Sequence, residues 1–209
     1  MLNKLTITEK FRPKKINDLV LLDETKELLR NVVNQEQCTH ILLSGRAGCG
    51  KTSTARVLAN ELDADLLAMN ACEVSTEEFR NKIKKFTTSL NLFYEKQVVL
   101  LDEADSLSPK IQKEMKFFLE NECINTCVVM TTNEIDKIID AIRSRCIEID
   151  YDHELSDENS YELKKMIFER VRDEIKTEKR EIEEKSAMRV INRFYPDLRR
   201  IINYLSVQM

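Results

Sequence analysis

Short apolar runs alternate with amphipathic segments along residues 1–150. Such alternation predicts an α/β protein, in which helices flank a parallel sheet. The apolar runs predict strands at 39–44, 66–70, 97–102, 126–131 and 146–150. The amphipathic segments predict helices at 23–34, 51–62, 76–90, 109–121 and 135–143.

Two of these helices have a recognisable first turn. Ser75 and Glu78 have the spacing of a capping box, in which each side chain satisfies a free backbone N–H group. Ser108 precedes Pro109, which fits an N-cap followed by proline at the first helical position. Both signals support the helix starts that the apolar pattern predicts.

The pattern changes near residue 151, where the β-branched runs stop and charged amphipathic segments take over. The helices predicted in this part lie at 156–177, 183–194 and 197–207. We therefore predict two domains, a sheet domain at 1–150 and a small all-helical domain at 151–209.

The composition fits a folded globular protein. Hydrophobic residues make up 42% of the chain, which is enough for a core. The net charge of −4 gives no global basic footprint, so a nucleic-acid partner would have to contact a local patch. No apolar run is long enough to span a bilayer, and residues 1–6 show no signal-peptide core. We therefore expect a cytoplasmic protein without a membrane partner.

The six cysteines are scattered, mostly within apolar runs, and are expected to be reduced and buried. Cys123 and Cys127 have the spacing of metal ligands, but no second pair follows and the histidines are His40 and His153. A zinc site is therefore not favoured.

All three glycines of the chain lie within six positions, at Gly45, Gly48 and Gly50, directly before Lys51 and Thr52. This spacing matches G-x-x-x-x-G-K-[ST], the phosphate-binding loop, and a predicted strand precedes it while a helix follows. Backbone N–H groups of such a loop form an anion nest, Lys51 reaches the β/γ-phosphates and the Thr52 hydroxyl binds Mg²⁺. The alternative is a glycine turn that binds nothing. The predicted nucleotide contacts of the loop are Gly45, Arg46, Ala47, Gly48, Cys49, Gly50, Lys51, Thr52 and Ser53.

A second motif supports the nucleotide-binding interpretation. The apolar strand 97–102 ends in Asp102 and Glu103. Ligands of open α/β sheets bind at the carboxyl ends of such strands, so Asp102 is expected to hold Mg²⁺ and Glu103 to activate the attacking water. The alternative is an acidic, solvated turn. Together the two motifs predict an enzyme that hydrolyses ATP with Mg²⁺.

With these motifs the chain resembles the AAA+ ATPases, and within them the small subunits of sliding-clamp loaders, most like the phage type and related to the small subunits of replication factor C. The resemblance covers essentially all of the chain and implies a parallel sheet with a helical lid. Phe11, Arg12 and Pro13 resemble the family's adenine-side motif, with phenylalanine in place of the usual tyrosine.

Three further motifs carry the resemblance. Thr131-Thr132-Asn133 resembles sensor 1, which places Asn133 near the γ-phosphate. Ser144-Arg145-Cys146 resembles the motif whose arginine enters a neighbouring subunit's ATP site. Pro196-Asp197-Leu198-Arg199-Arg200 resembles the lid motif, in which Arg199 would act as sensor 2. Without the resemblance, Arg145 would be interpreted as a surface cation at a helix end.

The resemblance implies an ATPase subunit of a clamp loader, in the host cytoplasm if a phage encodes it. Its partners would be other loader subunits in a ring or spiral, the sliding clamp and primer–template DNA. ATP binding would open the clamp and grip the DNA, and hydrolysis would release the clamp. The alternatives are another AAA+ replication loader, such as a helicase loader, and a structural subunit that uses ATP only to hold an interface.

The helix at 76–90 has an apolar stripe that predicts its buried side. In the resembled family this helix faces DNA, so we expect Arg80 and Lys84 to contact the phosphate backbone. Lys82 and Lys85 are expected to be solvated. The stripe consists of Phe79, Ile83, Phe86 and Leu90.

The helix at 109–121 carries a core stripe of Ile111, Met115 and Phe118. Phe117 and Leu119 lie off this stripe, and either they contact the clamp, as the end of this helix does in the family, or they pack against a neighbouring loop or subunit.

Family subunits usually continue into a helical collar domain, whereas Met209 falls where the lid would end. The expectation at this stage is that the collar is absent from this chain, because it does not exist, is truncated or is supplied by another chain, and that self-association depends on nucleotide.

Overall fold

The computed structural model describes residues 11–73, 75–89, 93–121, 123, 125–177 and 182–208. Glu9 and Lys10, which flank the predicted adenine-side motif, and Leu90 of the predicted apolar stripe lie outside the described residues. The strands are β1 (His40–Ser44), β2 (Ala64–Asn70), β3 (Lys96–Asp102), β4 (Thr126–Thr132) and β5 (Cys146–Asp150).

The strands form one parallel sheet in the order β2-β3-β4-β1-β5. The central strands β3, β4 and β1 are buried over nearly their whole length, as expected where helices cover both faces of a parallel sheet. Since β3 and β4 lie beside each other and β4 lies beside β1, their carboxyl ends meet at one edge. The predicted α/β sheet is confirmed.

The helices lie between and after the strands. They are α1 (Asp23–Asn34), α2 (Lys51–Glu61), α3 (Thr76–Thr88), α4 (Pro109–Asn121), α5 (Asp140–Arg143), α6 (Tyr151–Glu154), α7 (Ser160–Thr177), α8 (Glu184–Phe194) and α9 (Leu198–Gln208). Single 3-10 turns occur at Ile16–Asp18, Ala71–Glu73, Ala104–Ser106 and Ile135–Lys137.

Each face of the sheet has its own core. On one face, α1 and α2 pack on the alternate residues Ile41 and Leu43 of β1. On the other face, α3, α4 and α5 pack around Leu42 and the neighbouring strands. In this second core Phe79, Ile83, Ile111, Met115 and Phe118 are buried, as the two apolar stripes predict.

The predicted first turns of α3 and α4 are both confirmed. Ser75 and Glu78 form the capping box at the start of α3, and the Ser108 hydroxyl accepts a hydrogen bond from the N–H of Ile111 at 3.3 Å.

The predicted helix at 135–143 is wrong in part, because the chain leaves the helical conformation at Ile138 and Ile139. The cause is a contact with α4. Gln112 of α4 accepts a hydrogen bond from the N–H of Ile139 at 2.9 Å and donates one to the carbonyl of Lys137 at 2.9 Å. These bonds hold the backbone extended between the 3-10 turn and α5.

The predicted helix from residue 156 also begins later, at Ser160. A short helix, α6, comes first, and Asp150 caps it by accepting a hydrogen bond from the N–H of Asp152 at 2.9 Å. Asn159 then donates its side-chain amide to the carbonyl of Glu154 at 3.1 Å, which ends α6 and separates it from α7.

A third core forms among α7, α8 and α9, around Ile167, Ile191 and Leu205. The ring of Phe11, although it comes from the start of the chain, is buried in this core with 4% exposure. The division into 1–150 and 151–209 therefore remains a prediction. In the described part of the chain, no helix is long and apolar enough to cross a membrane.

Candidate functional site

The predicted site residues converge at the carboxyl edge of the sheet, where a pocket opens between the sheet and helices α7 and α9. The loop after β1, the end of β3 and the residue after β4 each reach this pocket. Its walls include the following predicted residues: Phe11, Arg12, Pro13, Ala47, Gly48, Cys49, Gly50, Lys51, Thr52, Ser53, Asp102, Glu103, Asn133 and Arg199.

The loop conformation depends on its glycines. Gly45, Gly48 and Gly50 all have positive φ, at 133°, 82° and 112°, which side chains rarely tolerate. A Cβ on Gly45 would lie 2.8 Å from the Cβ of Tyr151, and one on Gly48 would lie 2.3 Å from the Oδ1 of Asp197. Glycine is therefore required at both positions by conformation and by close approach.

Lys51 is the first residue of α2, and its side chain folds back into the loop with little exposure. The ammonium donates hydrogen bonds to the carbonyls of Gly45 at 2.5 Å and Arg46 at 2.9 Å, and to the Oδ1 of Asn133 at 3.1 Å. This cation therefore sits inside the anion nest, beside the predicted sensor residue, where phosphate oxygens can replace the loop carbonyls.

Thr52 and Asp102 meet as the two motifs predict. The Thr52 hydroxyl donates to the Asp102 carboxylate, with distances of 2.9 Å to Oδ1 and 3.2 Å to Oδ2. Thr131 of β4 donates its hydroxyl to the same Oδ1 at 2.5 Å, which fixes the orientation of the carboxylate.

A hydroxyl and one carboxylate fit Mg²⁺, which keeps several waters and takes few protein oxygen ligands beside substrate phosphates. In the described part of the chain, no cluster of three or more histidine, cysteine or acidic side chains could hold a metal ion.

Glu103 follows β3 in a left-handed conformation with φ of 58°, which is uncommon for a residue with a side chain and persists where the surroundings hold it. Its N–H donates to the Thr131 hydroxyl at 3.1 Å. Its Oε2 accepts hydrogen bonds from Asn70 at 3.4 Å and from the thiol of Cys72 at 3.2 Å. The sequence analysis missed both donors, although they lie at and just after the end of strand β2.

The loop is attached to helix α6. Tyr151 is fully buried against Gly45, and its hydroxyl is hydrogen-bonded to the hydroxyl of Thr54 on α2. Burial raises the pKa of Tyr151 far above its usual value, so the phenol stays protonated. Arg46 forms an ion pair with Asp152 at 2.9 Å, so its side chain braces the loop against α6.

The lid side of the pocket is built by α9 and the residues before it. Arg199 lines the pocket, as the sensor 2 prediction requires, while Arg200 instead pairs with Asp197 at 3.3 Å. The Asp197 carboxylate also accepts a hydrogen bond from the N–H of Arg200 at 3.0 Å. Asp197 therefore fixes the start of α9 directly above Gly48.

Arg145 does not reach the pocket of its own chain. It follows α5, donates to the carbonyl of Ala141 at 2.5 Å, and forms an ion pair with Glu120 near the end of α4. Since the side chain is 31% exposed, a neighbouring molecule could still contact it.

The predicted DNA contacts lie on exposed positions of α3. Arg80 is 66% exposed and pairs with Glu114 of α4 at 2.7 Å, while Lys84 is exposed one turn further along. Helix α4 adds Lys110 and Lys113 at helical spacing, and both are exposed. The sequence analysis missed this pair, although the i, i+3 spacing was visible, because nothing showed that α3 and α4 lie side by side.

Comparisons with known proteins agree with this geometry. The family model described as ATPase family associated with various cellular activities (AAA) matches residues 41–152. The sliding-clamp-loader large subunit of Escherichia phage RB69 is 29% identical over 202 residues, which are 95% of this chain and 63% of that protein. The replication factor C small subunit of Halobacterium salinarum is 35% identical over 144 residues, which are 66% of this chain and 45% of that protein.

Among solved structures, the Holliday junction branch migration motor RuvB of Thermotoga maritima matches with a TM-score of 0.71 and 20% identity, covering 95% of this chain and 64% of that one. At this identity the likeness shows the fold alone. The chain spans less than two thirds of the length of these relatives. The resemblance to clamp-loader and replication factor C subunits is confirmed, and the chain belongs to the AAA family of ATPases.

Proposed function

We propose that this chain is an ATPase subunit of a DNA sliding-clamp loader. The observation that carries the proposal is the convergence of Lys51, the Thr52–Asp102 pair, Glu103 and Asn133 at one pocket edge. Each group has a separate task in phosphoryl transfer, and two phage relatives are named sliding-clamp-loader large subunits. The sheet domain at 1–150 would carry the chemistry, and the helical lid at 151–209 would close over the nucleotide.

ATP is the proposed substrate. Its phosphates would lie on the loop, where Lys51 exchanges the carbonyls of Gly45 and Arg46 for phosphate oxygens. Thr52 and Asp102 would hold Mg²⁺, which neutralises charge that develops on the phosphates. Glu103 would accept a proton from the attacking water, and Asn133 and Arg199 would contact the γ-phosphate from two sides.

The base would lie at the other end of the pocket, between the segment that contains Phe11 and the lid helix α7. Val20, Ile167 and Val171 provide apolar walls there. Such walls suit the flat faces of a purine, while polar groups at its edge select which purine binds.

Arg145 is the proposed arginine finger for a neighbouring subunit. Negative charge spreads over the transferring phosphoryl oxygens, and a guanidinium supplied by a neighbour stabilises it. The ion pair with Glu120 must break before Arg145 can reach that site, so assembly and release of the finger are linked.

Arg145→Ala should therefore fold and bind ATP yet lose turnover, by roughly 10³–10⁵ as for trans fingers in other phosphoryl-transfer systems. Mixing it with Lys51→Ala protein tests action between subunits, because each variant supplies what the other lacks. Partial recovery of phosphate release is expected in mixed assemblies. If light scattering shows mixed assemblies but phosphate release does not recover, the result counts against a trans role for Arg145.

The proposed DNA contact uses exposed basic residues of the two neighbouring helices α3 and α4, namely Arg80, Lys84, Lys110 and Lys113. Lysine and arginine at helical spacing suit phosphates, which position a protein on DNA without reading its sequence. Arg80 is 66% exposed whereas its partner Glu114 is 21% exposed, so a contact with phosphate would require Arg80 to leave a partly buried carboxylate.

Arg80→Ala and Lys84→Ala should each weaken binding to primer–template DNA equally for all sequences. Each should also reduce the slope of log affinity against log salt by about one unit for every phosphate that the side chain no longer neutralises. Lys165→Ala is the control, because Lys165 is an exposed lysine on α7 and not on α3 or α4. It should leave the slope unchanged. A loss of affinity that depends on base sequence would contradict backbone contact.

The clamp-contact proposal rests on α4. Phe117 is 58% exposed there, whereas Leu119 is buried with 8% exposure, so of the two candidates Phe117 is available to a partner. An exposed aromatic ring beside charged neighbours is typical of a protein contact.

The proposal is tested by loading a labelled clamp onto primed circular DNA with this chain and its partner subunits. Loading that requires ATP supports the clamp-loader function. If a replicative helicase is loaded instead, the chain is a helicase loader. If assembly requires ATP but no phosphate is released, the chain is a structural subunit.

A further inference from the structure

A buried cation holds the base end of the pocket. Arg170 of α7 donates from Nη2 to the carbonyl of Phe11 at 2.9 Å and from Nη1 to the carbonyl of Asp18. Both carbonyls belong to the base-side segment, which we define as residues 11–21. Burial lowers the pKa of Arg170, and the nearby Asp18 carboxylate opposes that shift. Arginine cannot be deprotonated under ordinary conditions, so both hydrogen bonds are charge-assisted.

Several other polar contacts of the base-side segment lead elsewhere. The Asp18 carboxylate accepts hydrogen bonds from the N–H groups of Lys14 and Lys15, both at 2.9 Å, which fold the segment on itself. The N–H of Ile16 donates to Glu61 at 3.1 Å, which attaches the segment to α2. Arg170 connects the segment to the lid through these two carbonyls, next to the buried ring of Phe11.

Val20 and Leu21 of the segment both line the pocket, and within the described residues neither makes a backbone hydrogen bond. Val20, which is half-buried, is the more exposed of the two. An N–H donor beside a C=O acceptor complements adenine, whose edge offers the N1 acceptor and the N6 amino donor. Guanine offers a donor at N1 and an acceptor at O6, which is the opposite pattern.

We propose that Arg170 is a positioning residue for base recognition, which fixes the base-side segment against the lid so that the backbone of Val20 accepts adenine and rejects guanine. The position of Val20 depends on Arg170 because the guanidinium holds the carbonyl of Asp18, only two residues earlier. The position of the lid helix α7 and the selection of the base then both depend on Arg170. This inference rests on the proposed function, since it takes the pocket as an ATP site.

The test compares Arg170→Met, which keeps much of the apolar length, with Arg170→Lys, which keeps the charge but offers no planar fork to two carbonyls. Arg172→Met is the matched control, because Arg172 lies on the same helix, is 41% exposed and forms its ion pair with an exposed Asp173. Affinities for ATP, GTP and inorganic tripolyphosphate are measured by calorimetry. Tripolyphosphate reports the phosphate loop without any base contact.

Arg170→Met should lose about tenfold or more in ATP affinity, since two charge-assisted bonds no longer hold the segment. Its ATP-to-GTP affinity ratio should approach one, while tripolyphosphate binds as in the wild type. Arg170→Lys should fall between these two proteins, and Arg172→Met should equal the wild type. A purely structural Arg170 would instead lower the melting temperature and leave the ATP-to-GTP ratio unchanged.

An unchanged ratio in either Arg170 variant, or equal losses for ATP and tripolyphosphate, would overturn the inference. Should Arg170→Met fail to fold, the ratio in Arg170→Lys decides alone. Wild-type protein that binds tripolyphosphate but does not prefer ATP to GTP would overturn the base-selection role and leave the ATPase proposal standing. Wild-type protein that binds neither ATP nor tripolyphosphate would overturn both the base-selection role and the ATPase proposal.

Discussion

Lys51→Ala protein should fold and lose nucleotide binding. The ammonium of Lys51 lies in the loop, bonded to the carbonyls of Gly45 and Arg46, at the position where phosphate charge would be neutralised. Removing one partner of a buried charge pair costs about 3–5 kcal/mol. Since about 1.4 kcal/mol corresponds to a factor of ten, ATP affinity should fall roughly a hundred- to several-thousand-fold. Calorimetric titration with ATP in the presence of Mg²⁺ measures this loss.

Lys165→Ala is the matched control, because it removes an exposed lysine that pairs with Glu169, at 4.0 Å on the surface of α7. It should bind ATP as the wild type does. The thermal transition of Lys51→Ala without nucleotide should remain cooperative, which separates a defect in binding from a defect in folding. Undiminished ATP affinity in Lys51→Ala would remove the phosphate loop from the proposed site.

Glu103→Gln should bind ATP normally and stop hydrolysing it. The amide keeps the size of the side chain but cannot accept a proton from water, and general-base catalysis contributes typically about 10²–10⁴ in rate. The left-handed backbone at Glu103 and the bond from its N–H to Thr131 are unaffected by this change. Single-turnover phosphate release, measured beside ATP affinity, distinguishes the two effects.

Glu73→Gln is a close control, since Glu73 is an exposed carboxylate in the 3-10 turn next to Cys72. It should retain wild-type turnover. Normal turnover in Glu103→Gln would place the catalytic base elsewhere, and a parallel loss of ATP affinity would indicate that Glu103 acts on binding instead.

The core of the site could be predicted from sequence because its chemistry is local. The conformations of Gly45, Gly48 and Gly50 are set within the loop itself, and Lys51 follows at a fixed spacing. The contact between Thr52 and Asp102 spans fifty positions, yet it follows from one rule, since strands β1 and β3 end at the same edge of a parallel sheet.

The contacts that the sequence analysis missed join elements whose relative placement has no sequence signature. Phe11 was expected at the adenine, and it lines the pocket, but its ring is buried in the core formed by α7, α8 and α9. Arg170 reaches the base-side segment from more than 150 positions away. Arg145 pairs with Glu120, and Arg80 with Glu114, because α4 lies beside α3, which carries Arg80, and beside α5, which Arg145 follows.

Helix boundaries failed for the same reason. An apolar period predicted one helix across 135–143, but hydrogen bonds from Gln112 to the backbone at Lys137 and Ile139 favour an extended connection. Tertiary contacts of this kind override local propensity. The start of α7 shifted to Ser160 because the separate short helix α6 comes first, with Asp150 capping its start and Asn159 bonded to its last carbonyl.

The rate of ATP hydrolysis by this chain with its partner subunits, measured with and without primer–template DNA and a sliding clamp, tests the clamp-loader proposal most directly. We predict slow hydrolysis without DNA and clamp, marked stimulation when both are present, and no stimulated hydrolysis in Glu103→Gln. A rate that is equal with and without DNA and clamp, or a stimulated rate that persists in Glu103→Gln, would contradict the proposal.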